Sequence, residues 1–98
     1  MKRDDGLNRL IHEPARLSIV ATLAVVECAD FTFLATRTGL TDGNLSSHLS
    51  KLEDAEYVGV EKTFEDRRPR TIYTLTGAGR QAFDKYRADL ERVLNPTD

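Results

Sequence analysis

TDGNLSSHLSKLE, residues 41–53, carries the pattern on which the fold turns. Leu45, Leu49 and Leu52 recur at i, i+4 and i+7, the spacing of one buried face on an α-helix. The other positions in its first half are Gly43, Asn44, Ser46, Ser47 and Ser50, all weak helix formers. With 100° per residue, Gly43, Ser47 and Ser50 fall opposite the leucines, and Asn44, Ser46 and Lys51 flank that outer face. A helix that is amphipathic yet lined outside by short, hydrogen-bonding groups needs a reason for that choice.

The elements around it follow from caps and breakers. Thr41 is placed to cap this helix, which is expected to end near Ala55. Upstream, Asp30 can cap "FTFLATRT", and Gly39 suits its left-handed C-terminal turn. Two helices joined by about three residues containing Gly form a helix-turn-helix. Pro14 suits the first position of a helix through "ARLSIVATLAVVE", apolar on most faces and therefore central. "DDGLNRLIHE" is expected to form a short first helix with Leu7, Leu10 and Ile11 on one side. After the quoted helix the period becomes two: Val58, Val60, Lys62 and Phe64 alternate with Tyr57, Gly59, Glu61 and Thr63. A polar turn "EDRRPR" and a second strand "TIYTLT" complete a hairpin with a basic tip. Thr76 can then cap a long last helix whose stripe is Phe83, Tyr86, Leu90, Val93 and Leu94.

At 98 residues the chain is sized for one domain, 1–98, and 40% hydrophobic with 31% charged residues is an ordinary globular composition. There is no long apolar run, so no membrane span, and "MKRDDG" lacks the apolar stretch of a signal peptide; a cytoplasmic location is expected. Cys28 is alone, which rules out an internal disulfide and fits a reducing compartment. The net charge of −2 argues mildly against a nucleic-acid partner, but its distribution is uneven. Arg67 to Phe83 holds four arginines and no acid, whereas Glu53, Asp54 and Glu56 gather elsewhere.

With these elements in place, the chain resembles the winged-helix transcriptional regulators of the MarR/ArsR type. The match is to the short group whose recognition segment reads roughly "LTDGNLSxHL". The likeness spans about residues 10–90 and rests on "EPARLSIV", "DFTFLA", "GLTDGNLSSHLSKLEDAEYV", "EKTFEDRRPRTIYTLT" and "LTGAGR", in the expected order. It implies an α+β, mainly α, winged helix-turn-helix with a two-stranded hairpin wing and terminal dimerisation helices. The helix-turn-helix would cover about 30–56, the wing 57–76 and the C-terminal helix 77–95. It further implies a homodimer on double-stranded DNA, most simply a repressor on a palindromic operator, with recognition helices about 34 Å apart. Glu56 stands where the group usually has Gly, which puts the exit from the recognition helix in question.

On this reading Thr41, Gly43, Asn44, Ser46, Ser47, Ser50 and Lys51 form the recognition surface. A helix enters the major groove only if its outward side chains are short, and hydroxyls and an amide then reach base edges and phosphates. Arg67, Arg68 and Arg70 would carry the wing's phosphate or minor-groove contacts, with Lys62 and Arg37 weaker candidates for the DNA backbone. Leu7, Leu10, Ile11, Tyr86, Leu90, Val93 and Leu94 would make the dimer interface. His48 lies near the core flank of its helix and reads as a satisfied, partly buried histidine. Cys28, His12 and His48 have no metal-ligand spacing, so no metal or other cofactor is expected. Ser47 and His48 are adjacent and point about 100° apart, and Gly77 and Gly79 lack a dinucleotide fingerprint, which argues against an enzyme. The rival readings are a winged-helix protein–protein module and a thiol- or metal-responsive sensor using Cys28. An effector ligand is not legible.

Overall fold

Pro14 opens α1 (Pro14–Val26), and Glu13 caps it by accepting the Arg16 N–H at 2.7 Å. The computed structural model describes residues 6–96. From α1 the order is β1 (Cys28–Asp30), α2 (Phe31–Thr38), α3 (Asp42–Asp54), β2 (Val58–Glu65), β3 (Arg68–Leu75) and α4 (Gly77–Leu94). The sheet is antiparallel in the order β1-β3-β2.

The expected caps are where the residue types placed them. Asp30 Oδ1 accepts from Phe33 N–H at 2.8 Å, Thr41 Oγ1 from Asn44 N–H at 3.2 Å, and Thr76 Oγ1 from Gly79 N–H at 2.9 Å. Gly39 closes α2 in the left-handed region, at φ 75°. Leu45, Leu49 and Leu52 are buried with Ile19, Val20 and Leu23 of α1, Leu34 of α2, Ala29 of β1 and Val58 of β2. One core therefore joins α1, β1, α2, α3 and β2, and β3 and α4 reach it through Tyr73, Leu75 and Phe83.

Three features differ from the sequence reading. First, "DDGLNRLIHE" forms turns rather than a helix over its described residues, Asp4 and Asp5 lying outside them. The Asn8 side chain accepts from both Leu10 and Ile11 N–H at 2.9 and 3.1 Å, taking donors a helix would use. Pro14 also holds Glu13 extended, at φ −153°. Second, β1 adds a third strand, with Cys28, Ala29 and Asp30 paired to Thr74, Tyr73 and Ile72. Three residues are too few to show a period. Third, the turn is shorter than "EDRRPR": Asp66 and Arg67 alone make it, both at positive φ (52° and 67°), and Glu65 and Arg68 already pair.

Glu56 holds the left-handed conformation itself, at φ 65°. Glu56 N–H bonds to Glu53 O at 2.8 Å and Tyr57 N–H to Leu52 O at 3.0 Å, the paired bonds of a Schellman end. Its carbonyl accepts from Thr76 Oγ1 at 2.7 Å, so the helix end stays in place despite the missing glycine. Beside it, α4 starts against the Tyr57 backbone: Thr76 N–H bonds to Tyr57 O at 3.0 Å, and a β-carbon on Gly79 would collide with that oxygen.

A second cluster corrects the expected interface. Leu7, Ile11 and Tyr86 are buried against one another, with Leu90 packed on them, and Leu10 packs on the main core. The turn brings the N-terminal segment onto α4 of its own chain, so these five side chains cover its interior. Val93 and Leu94 remain exposed. On the same helix, buried Asp89 is paired with Lys85 at 2.6 Å and with Arg92. The Lys85 hydrogen bond, ahead of the two cationic charges, holds its carboxyl below the ordinary aspartate range against the opposing effect of burial.

Two outcomes follow. Glu56→Gly removes left-handed strain and should raise unfolding stability by about 1 kcal/mol in urea titrations, with an unchanged slope. A depressed carboxyl pKa stabilises the fold above the unfolded value, near about 4, and the contribution fades as pH falls toward the folded value. Acidification from neutrality through that range should therefore destabilise the wild type more steeply than Asp89→Asn.

Candidate nucleic-acid interface

The face opposite the leucine stripe of α3 is open. Gly43, Asn44, Ser46, Ser47, Ser50 and Lys51 are all exposed, as is the cap residue Thr41, while Leu45 and Leu52 are fully buried. Among the described residues, the Ser46, Ser47 and Ser50 hydroxyls and the Asn44 amide have no intramolecular side-chain hydrogen bond. They form a shallow row of donors and acceptors that starts at Asn44, in the first turn of a 13-residue helix where the dipole favours an anion, and runs inward as far as Ser50.

His48 sits at the margin of this face and is half-buried. Its Nδ1 lies 3.1 Å from an Arg16 guanidinium nitrogen and 4.0 Å from Glu13 Oε1. Arg16 also donates to Leu10 O at 2.6 Å. The cluster fastens α3 to the start of α1, so His48 positions the helix rather than presenting a free ring. The same Glu13 carboxylate caps α1, and that backbone hydrogen bond from Arg16 holds its pKa below the ordinary value.

The wing is a ribbon that outruns the sheet. β1 pairs with β3 only at Ile72, Tyr73 and Thr74, so β2 and β3 project as two strands from Lys62–Thr71 outward. Pro69, which has no N–H to donate, stands in that unflanked portion. Lys62, Arg67 and Arg68 are exposed and, among the described residues, make no ion pair. Arg70 differs. One guanidinium nitrogen lies 3.3 Å from Asp30 Oδ2 and the other bonds Glu65. The Asp30 carboxylate that caps α2 thus also anchors the wing, and Arg70 serves as its tie. Of the wing cations expected to meet phosphate, Arg70 is the one already engaged by carboxylates.

Register sorts the outer ribbon by chemistry. Lys62, Phe64, Pro69 and Thr71 share one face, continuous with Val60 and with core-facing Val58, Tyr73 and Leu75. Glu61, Thr63, Glu65, Arg68 and Arg70 share the other. An open groove of about 630 Å³ beside Glu65, Arg68 and Arg70 is lined also by Asp30, Thr32, Asp66 and Pro69, so its carboxylates outnumber its guanidinium groups. The sequence reading passed over Phe64 as an ordinary strand residue; it is 74% exposed. Its signal was an aromatic residue next to the "EDRRPR" run, but alternation alone assigns it to a buried face. Arg37 is exposed on α2, next to the helix-turn-helix turn.

Among the described residues there is no group of three or more His, Cys, Asp or Glu able to hold a metal, and no helix long and apolar enough to cross a membrane. Cys28 is exposed at the start of β1.

A family model described as a winged helix DNA-binding domain matches residues 15–94. An uncharacterised protein of Methanocaldococcus jannaschii is 37% identical over 78 residues, which is 80% of this chain and 85% of that one. A transcriptional regulator homologue from Pyrococcus horikoshii OT3 superposes with a TM-score of 0.84 at 31% identity, covering 90% of this chain and 87% of its own. The repressor CouR, solved on a 23-mer DNA duplex, shares the fold with a TM-score of 0.74 at 24% identity, covering 85% and 58%.

The Arg70 tie has a measurable consequence. Arg70→Ala should speed amide hydrogen exchange in β2 and β3 beyond the Lys62–Thr71 pair and cost less than about 1 kcal/mol overall, because the pair is partly exposed. Asp30→Asn keeps a capping side chain on α2 and should loosen the wing to the same degree.

Proposed function

The chain belongs to the winged-helix DNA-binding domain family, and from that premise we propose that this DNA-binding regulator acts as a homodimeric repressor on a palindromic operator. The observation that carries the reading is the exposed row Gly43, Asn44, Ser47 and Ser50 backed by fully buried leucines. Short outward side chains let α3 lie in the major groove, where the Asn44 amide can pair with adenine and the serines with base edges or phosphates. Arg67 at the hairpin turn and Arg68 beside it, without an ion pair among the described residues, supply phosphate or minor-groove contacts. Lys51 and Lys62 add backbone charge.

For the second protomer, Val93 and Leu94 at the end of α4 are the members of the expected interface that stay exposed. Pairing there would cover both and set two α3 helices toward successive major grooves. The structures of regulators with this fold, CouR on duplex DNA among them, support the reading.

Titration of selected duplex DNA at several salt concentrations tests it, with solution mass measured alongside. Arg67→Ala and Arg68→Ala should each weaken binding to all sequences and flatten the log–log salt dependence by about 0.9. Asn44→Ala or Ser47→Ala should instead lower discrimination at individual base pairs by about 1–3 kcal/mol and leave the salt slope unchanged. If the wild type binds no duplex at low salt, the reading is wrong, and a protein partner for the same surface becomes the better account.

A further inference from the structure

Phe64 is the most exposed aromatic side chain among the described residues, at 74%, and is outermost on its face of β2, directly opposite Pro69. Among the described residues it has no aromatic partner. Further in on that face Val58 is buried with Leu45, Leu49 and Leu52, so the face looks to the side of the sheet on which α3 packs. The outer part of this face holds Lys62, Phe64, Pro69 and Thr71 and no carboxylate, because alternation sends Glu61 and Glu65 to the opposite side. What remains is an apolar pair beside a free ammonium group, with the Asp66–Arg67 turn just beyond. A protein partner selected by apolar contact alone would not require the acids to be sorted away from it. A polyanion would.

Resting on the DNA-binding reading above, we propose that Phe64, backed by Pro69, is a minor-groove wedge. When α3 occupies the major groove, the wing lies across the neighbouring minor groove, and the Phe64 ring enters between base edges and parts one base step. Lys62 and Arg67 hold the flanking phosphates. Apolar side chains inserted in this way unstack a step and bend the duplex away from the protein's minor-groove contact. Flexible pyrimidine–purine steps open most easily, so Phe64 would add sequence preference at a position it does not read by hydrogen bonding. The hairpin is built for such an insertion, since Pro69 limits the backbone opposite the ring and Arg70 ties the ribbon to Asp30.

The experiment uses the full chain and a duplex selected by the wild type from a random library, labelled at both ends for fluorescence energy transfer. Phe64→Ala and Phe64→Leu are compared with the wild type for affinity, salt dependence, end-to-end distance and thermal unfolding. On the proposal, Phe64→Ala loses roughly tenfold in affinity with an unchanged salt slope, since it removes apolar contact and no charge. It also relaxes the bend and the preference for a pyrimidine–purine step, whereas Phe64→Leu retains most of each. An unaltered bend or affinity in Phe64→Ala overturns the wedge and leaves the recognition-helix reading standing. A lowered melting temperature that accounts for the lost affinity also overturns it, by making Phe64 a hairpin-stabilising partner of Pro69. A change in solution mass overturns it in favour of a contact between copies. Failure of the wild type to select any duplex removes the wedge together with the reading beneath it.

Discussion

Burial of Leu45, Leu49 and Leu52 is the constraint on which the structure rests. Gly43, Asn44, Ser46, Ser47 and Ser50 together weaken α3 by roughly 3 kcal/mol relative to alanine. Each leucine taken out of water contributes about 1.5–3 kcal/mol, so the three outweigh that deficit. Helix formation at α3 is therefore decided by α1, α2 and β2, whose side chains complete the pocket for those leucines. Once the packing carries the helix, its outer surface is released from any duty to stabilise it and can be furnished with short polar groups. The same contacts set the direction in which that surface points.

A second constraint lies at the corner where α3 ends. Glu56 turns the chain in a conformation that disfavours a side chain, and it is held there by the Thr76 hydroxyl. Thr76 caps α4, bonds the Tyr57 carbonyl and, through Glu56, closes α3. Gly79 lets α4 approach that corner without collision. The end of α3, the start of β2 and the start of α4 thus meet in a few residues.

The wing follows a different logic, since most of it buries nothing. Its outer strands are exposed on both faces, and its hold on the domain passes through Arg70, Asp30 and Glu65. That exposure and the positive φ values of Asp66 and Arg67 describe a projecting element kept in place by ion pairs rather than by core. Its three arginines accordingly divide into one tie and two free cations, a division with direct bearing on how charge is offered to a polyanion.

Much of this was legible from residue types acting over short range. Asp30, Thr41 and Thr76 cap because their side chains reach N–H groups three residues on, and Gly39 turns left because it lacks a β-carbon. The leucine spacing of α3, and with it the face carrying Asn44, Ser47 and Ser50, needs only the helical period. The sequence determined these by itself, together with the order of the main helices and the hairpin. Tertiary structure alone decided the rest. Asn8 drew a segment patterned for a helix into a turn, and that turn laid Leu7 and Ile11 against Tyr86 of the same chain. β1 exists because β3 offers it an edge, Arg70 is engaged because Asp30 lies within reach across the sheet, and Phe64 is exposed because β1 and the helices stop short of it. Each of these depends on partners distant in sequence, and a local pattern holds no information about where such partners will stand.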